Sequence, residues 1–167
     1  LFKKNKVSFF HGRGAFAGKA DGGYEVRVGD EVLTGRHVIV ATGSTARALP
    51  GAPFDEEKIL SNDGALSIGA VPKRLGVIGA GVIGLEMGSV WRRLGAEVTL
   101  LEALPEFLAA ADQQIAKEAI KAFTKQGLKI ELGVRIDGVK TDKKGVAVSY
   151  TDARGEQQRR RRLAHLP

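Results

Sequence analysis

The spacing of apolar positions changes near residue 74, and the predicted elements change with it. Before that point apolar residues come in short runs parted by glycine-rich breaks. Residues 7–10 predict a strand, and His11-Gly12-Arg13-Gly14 a break. Residues 24–28 and 31–34 predict two strands joined by Gly29-Asp30, a two-residue loop that favours a hairpin. Asp21-Gly22-Gly23 is the turn before them, and the β-branched run 37–41 predicts a buried strand ending at Thr42-Gly43-Ser44. Ser61 is a candidate N-cap, but Gly64 follows closely, so the helix there is short. Residues 68–73, with Gly69 and Pro72, read as a linker.

Beyond it the pattern predicts alternating strands and helices. Residues 75–78, 98–101 and 128–132 are compact apolar strands. Residues 82–94 have helical spacing, with Ile83, Met87, Val90, Trp91 and Leu94 on or near one face and Gly95 just past the end. Residues 112–126 predict a second helix that presents Ile115, Ala119, Ala122 and Phe123, ended by Gly127. Residues 138–141 and 146–151 predict a hairpin turning at Lys143-Lys144-Gly145, and residues 157–167 show no pattern. Strand, helix, strand, helix, strand implies an α/β fold with parallel strands and crossovers, preceded by an antiparallel meander feeding a buried strand.

Composition narrows the function classes. At 43% hydrophobic and 27% charged residues the 167-residue chain is ordinary for a globular protein. No apolar run approaches the roughly 18–20 residues that span a bilayer, and no apolar stretch follows the first lysines as in a signal peptide. The missing initiator Met predicts a start inside a longer reading frame. There is no cysteine, so the chain itself holds no disulfide, thiolate metal site or dithiol redox centre, and a cytoplasmic setting is expected. His11, His37 and His165 share no ligand spacing. Of the net charge of +7, four units come from arginines 159–162. Basic residues attract phosphates. Yet the nearest aromatic to this run is Tyr150, so no stacking platform accompanies it and it reads as a solvated tail.

The chemistry concentrates in Gly79-Ala80-Gly81-Val82-Ile83-Gly84, a G-x-G-x-x-G between a predicted strand and a predicted helix. In that context Gly79 permits the tight turn, Gly81 lets the backbone approach a pyrophosphate, and Gly84 lets helix and strand pack closely. The helix N-terminus offers unpaired N–H groups and partial positive charge to phosphates. Glu102 ends the second strand 23 residues after Gly79, where an acid accepts hydrogen bonds from a ribose hydroxyl. The same carboxylate repels a 2′-phosphate, and no Arg or Lys lies between Glu97 and Asp112. NAD is therefore expected over NADP.

At these residues the chain resembles the pyridine nucleotide-disulfide oxidoreductases, and within them the dihydrolipoamide dehydrogenase branch. LGVIGAGVIGLEMGSVWRRLGAEVTLLE (75–102) is similar to the NAD motif, and HVIVATGSTARALPG (37–51) to a segment on the FAD side. The resemblance runs over roughly residues 5–155. It implies a Rossmann-like NAD-binding domain over 69–156, a partial FAD-binding domain over 1–68 and an aberrant basic tail over 157–167. It further implies that Gly14, Thr42, Gly43 and Ser44 lie against FAD, although Thr42 and Gly43 also read as a plain strand-ending turn. Glu86 would sit beside the flavin and pair with a lysine; from the residues alone it is a solvated first-turn residue. Ile136 would line the NAD adenine or, equally, serve the core.

In such a family dihydrolipoamide reduces a disulfide, the dithiol reduces FAD, and hydride passes to NAD. Homodimers and lipoyl-bearing 2-oxo acid dehydrogenase complexes are the implied partners. The chain departs from the pattern: the redox cysteines, the first FAD glycine motif and the His–Glu acid–base pair have no counterparts here, as expected of a fragment. After Glu156 the expected strand gives way to Gln157-Gln158 and four arginines, a junction that a frameshift or misplaced gene boundary would explain. The alternative is a binding module without catalysis.

Overall fold

Hydrogen-bond pairing, more than local propensity, decides which of these segments become strands. The computed structural model describes residues 1–143 and 145–161, and the chain divides into two units, Leu1–Thr45 and Ala46–Pro167. In the first unit β1 (Gly14–Ala20), β2 (Gly23–Val28) and β3 (Glu31–Gly35) form an antiparallel sheet in that order. Val28 pairs with Glu31 across Gly29-Asp30, as the two-residue loop predicts. Phe16 pairs with Val26 and Val26 with Leu33, which places them on one face; the two-residue period adds Tyr24 and Val28. The rings of Phe16 and Tyr24 meet edge-on at 6.3 Å. No residue of 1–45 is buried.

Two expected strands are absent from this unit. Residues 7–10 are irregular, and the first strand is Gly14–Ala20 instead. That segment is rich in glycine and alanine and is held by its ladder to β2. Residues 37–41, expected as a buried strand, are irregular and largely exposed, with Ile39 at 89% and Val40 at 67%. A β-branched run becomes a strand only when a neighbour takes its N–H and C=O groups, and among the described residues none pairs with it.

The second unit is built around three parallel strands. α1 (Asn62–Leu66) follows Ser61, whose hydroxyl accepts from the Gly64 N–H. β4 (Arg74–Ile78), α2 (Val82–Arg93), β5 (Glu97–Leu101), α3 (Gln113–Lys125) and β6 (Lys129–Glu131) then give the expected alternation, with strand order β4-β5-β6. Asp112 caps α3 by accepting from the N–H groups of Gln114 and Ile115 at 2.9 and 3.2 Å. Arg92 donates to the carbonyls of Gln126 and Ala96, tying the end of α3 to the chain leaving α2.

β5 is buried on both faces, as a central parallel strand should be. Val98 and Leu100 join Leu75, Leu85, Trp91, Ala116 and Leu128 in one cluster. Leu101 joins Val134, Val146, Val148 and Tyr150 in another. Ile68 packs against the first cluster and α1 against α2, so residues 46–68 group with the second unit rather than with the meander.

The helices turn differently from their expected faces. α2 buries Leu85, Gly88 and Trp91, while Ile83, Val90 and Leu94 stay exposed. Gly88 explains the rotation: a Cβ there would already touch Val98, Leu100 and Leu128, so the helix rests on the sheet through its glycine. α3 buries Ala116 and packs Ala119, Ile120 and Phe123 on the core, leaving Ile115 and Ala122 outside.

β7 (Arg135–Asp142), β8 (Gly145–Thr151) and β9 (Gln157–Arg161) form an antiparallel sheet in that order. The expected hairpin is there; Lys144 of its turn lies outside the described residues. β9 is a correction, because residues 157–161 form a strand where none was expected. Its register is supplied by β8, with Tyr150 opposite Gln158 and Ala147 opposite Arg161, so tertiary pairing overrides an unpatterned sequence. The fourth arginine and the remainder of the expected tail, 162–167, lie outside the described residues.

The turn into β9 is organised by Asp152, whose carboxylate accepts from the backbone N–H of Glu156, the N–H of Arg154 and the Gln158 amide. The Glu156 N–H foremost, and then the Arg154 N–H and the Gln158 side chain, hold the Asp152 carboxyl below its ordinary value against a smaller opposing pull from burial. A lowered native pKa stabilises above the unfolded value of about 3.9. That contribution disappears as pH falls through the lower native value. Amide protection of Arg154 and Glu156 is thus expected to drop on acidification below about pH 4, and Asp152→Asn to remove the dependence. Exchange rates at these two amides, followed by NMR across the acid range, check this.

Candidate functional site

The glycine motif sits where the sequence places it, in the connection from β4 to α2 at the C-terminal end of the parallel sheet. This is the end of such sheets at which ligands bind. The three glycines stand in different surroundings. Gly79 has φ of 100°, a region that side chains rarely adopt, and its N–H donates to the Leu101 carbonyl at 2.8 Å. Gly84 faces the backbone of Gly79; a Cβ there would overlap the Gly79 carbonyl oxygen and lie 3.3 Å from Val77 Cγ1. Gly81 has an ordinary φ of −71°, and a Cβ there would meet nothing within 4 Å. Neither backbone strain nor internal packing requires glycine at position 81. The open space there leaves room for a ligand to approach the backbone.

Gly81 is also the N-cap of α2, and no side chain caps this end. Val82, Ile83 and Gly84 form the first turn with no acid among them, so the positive end of the helix is uncompensated by the protein. Val82 and Ile83 are exposed there at 68% and 52%, whereas Ala80 is buried. The arrangement suits an anionic pyrophosphate, and the residues present fit the group that the motif implies.

Glu102 lies directly after β5, beside this turn. One carboxylate oxygen accepts from the Ala80 N–H at 2.7 Å and the other from the Leu104 N–H at 2.9 Å. Its backbone is fixed as well, its N–H donating to the Glu131 carbonyl and its own carbonyl accepting from Val134. Each carboxylate oxygen has two acceptor directions, so capacity remains for ribose hydroxyls. The spacing puts an acid at the end of the second strand, but its bond to the glycine turn is one that no spacing rule encodes.

The other expected site residues are more scattered. Glu86 is exposed and stands one turn into α2, beyond the first turn where the sequence reading put it. Ile136 lies in β7 beside an irregularity in its pairing and packs against the second cluster. In the first unit, Gly14 begins β1, and Thr42, Gly43 and Ser44 lie on exposed irregular chain. Among the described residues no group of His, Cys, Asp and Glu is arranged to hold a metal, and no helix is long and apolar enough to cross a membrane.

Comparison with known proteins agrees with this geometry. The family model described as pyridine nucleotide-disulphide oxidoreductase matches residues 1–161. The chain is 60% identical over 158 residues to a dihydrolipoyl dehydrogenase of Cupriavidus necator, covering 95% of the chain and 33% of that relative. It is 43% identical over 159 residues to the mitochondrial dihydrolipoyl dehydrogenase of Pisum sativum, covering 95% of the chain and 32% of the relative. The chain thus spans about a third of the length of these curated relatives. Among solved structures, LpdA from Mycobacterium tuberculosis superposes with a TM-score of 0.73 at 26% identity, over 94% of this chain and 35% of the other.

Proposed function

The chain belongs to the pyridine nucleotide-disulphide oxidoreductase family, and from that premise we propose that it supplies the NAD-binding part of an FAD-dependent dihydrolipoyl dehydrogenase. The observation that carries the NAD assignment is the juxtaposition of Gly81 and Glu102. Neither strain nor packing asks for glycine at the first, and the second is a carboxylate bonded to Ala80 of the same turn, which supports an external partner at the backbone and a ribose at the acid.

In this reading the N–H groups of Val82, Ile83 and Gly84 hold the pyrophosphate. Glu102 accepts from the adenosine ribose, and Ile136 borders the adenine from β7. When bound, NAD supplies a nicotinamide that accepts hydride. The protein's part is orientation: the rigid β4–α2 turn sets the direction in which the dinucleotide leaves the helix. Glu86, one turn along α2, lies on the nicotinamide side and orients that end.

Gly14, Thr42, Gly43 and Ser44 are assigned to the FAD side of the whole enzyme. Since the chain has no cysteine, its own residues perform no dithiol step. In the whole enzyme the substrate is dihydrolipoamide, and the partners are a second subunit and a lipoyl-bearing 2-oxo acid dehydrogenase complex. The relatives' names support the dihydrolipoyl substrate; the two partners are what the resemblance implies.

Fluorescence titration with NADH and NADPH tests the nucleotide assignment. NADH is expected to bind more tightly by at least about tenfold, because a 2′-phosphate would be brought against the Glu102 carboxylate. Equal affinity for the two nucleotides would sink it.

A further inference from the structure

The two backbone bonds of Glu102 have a use beyond choosing between nucleotides. We propose that Glu102 is the positioning residue of the glycine turn: its carboxylate clasps the turn in its nucleotide-ready shape before any nucleotide arrives. The inference deepens the NAD assignment and rests on it.

Within the turn, the Gly79 N–H is taken by the Leu101 carbonyl at 2.8 Å and the Ala80 N–H by Glu102 Oε2 at 2.7 Å. Both donors on the sheet side of the turn are therefore spent on the end of β5. The donors left for phosphate are those of the first turn of α2, where no side chain competes. Glu102 Oε1 holds Leu104 N–H at 2.9 Å, so the same carboxylate joins the glycine turn to the chain leaving β5. The carboxylate is anchored from behind by backbone bonds to Glu131 and Val134. Charge-assisted bonds to backbone N–H groups are among the stronger protein hydrogen bonds. A preformed turn also spares the nucleotide the entropy of ordering it.

Nucleotide choice and turn geometry consequently rest on one group. A substitution at 102 that removes the repulsion of a 2′-phosphate also releases Ala80. Relaxed specificity then comes with weaker binding of both nucleotides, not with a simple exchange of preference.

The test uses the 167-residue chain without nucleotide. Backbone amide exchange is compared for the wild type, Glu102→Ala and Glu102→Gln, with Val98 and Leu100 as internal references. The expected result for Glu102→Ala is exchange at Ala80 and Leu104 faster by about tenfold or more, with the references unchanged. Glu102→Gln keeps one acceptor oxygen and is expected to retain protection at one of the two amides. In Glu102→Ala the affinity for NADH also falls by at least about tenfold, and NADPH does not reach the wild-type affinity for NADH.

Unchanged exchange at Ala80 and Leu104 in both variants overturns the clasp, even if NADH binding weakens, because the carboxylate would then act on ribose alone. Faster exchange spread equally over Val98 and Leu100 in both variants overturns it too. Locally faster exchange in a chain that binds neither nucleotide upholds the clasp and sinks the NAD assignment instead.

Discussion

Replacing Gly84 with Ala abolishes measurable NADH binding and destabilises the second unit by about 2–3 kcal/mol, the cost of forcing a group into a packed site. The new Cβ would overlap the Gly79 carbonyl oxygen and lie 3.2 Å from its carbon. The obstacle is backbone, which cannot rotate aside as a side chain can. α2 has to lift from the end of β4, and its N–H groups lose their aim. Gly88→Ala is the matched comparison. Its Cβ would stand 3.4 Å from side-chain atoms of Val98, Leu100 and Leu128, an ordinary contact, and alanine favours the helix by about 0.8–1 kcal/mol. Gly88→Ala should therefore keep stability and NADH binding nearly intact. Urea unfolding and NADH titration of the two variants check the contrast; a Gly84→Ala protein that binds like the wild type would refute it.

Trp91→Ala has the larger effect on stability, a loss of about 3–5 kcal/mol. Trp91 is 8% exposed and stands in the cluster that joins α2 to β4, β5 and α3. Its indole belongs to the cluster that also holds Leu85 and Leu100, near the end of α2 that Arg92 ties to the C-terminus of α3. Domains of this size are stable by about 5–15 kcal/mol in all. Truncation thus removes a large share of the margin, while Trp91→Phe keeps much of the area and should lose far less. As the chain has a single Trp, far-ultraviolet circular dichroism in denaturant is the appropriate readout. An alanine variant unfolding within about 1 kcal/mol of the wild type would show that the cluster does not depend on this ring.

The parts legible in the sequence are those whose cause is local. The three glycines, the strand before them and the acid after the next strand obey spacing rules, because a tight turn and a close helix approach demand particular residues at fixed offsets. Asp112, Ser61 and Gly29-Asp30 were readable for the same reason. Features set by distant partners were not. Residues 37–41 have strand composition without a strand to pair with, and Gln157–Arg161 has a neighbour without the composition. The orientation of α2 is not legible because its buried stripe runs through Gly88, which adds no hydrophobicity, while the more apolar Ile83, Val90 and Leu94 lie outside. The bond from Ala80 to Glu102 joins residues on separate strands, and only the folded register brings them together.

The meander has a thermodynamic consequence of its own. Since no side chain of Leu1–Thr45 is fully buried, melting that unit brings less new apolar surface per residue into water than melting the second unit. Heat capacity rises on unfolding in proportion to such surface. A calorimetric scan of the chain would take most of its heat-capacity step from Ala46 onward, where Trp91, Leu100 and Tyr150 are covered. A step divided by the full chain length would then understate how well the parallel sheet is packed.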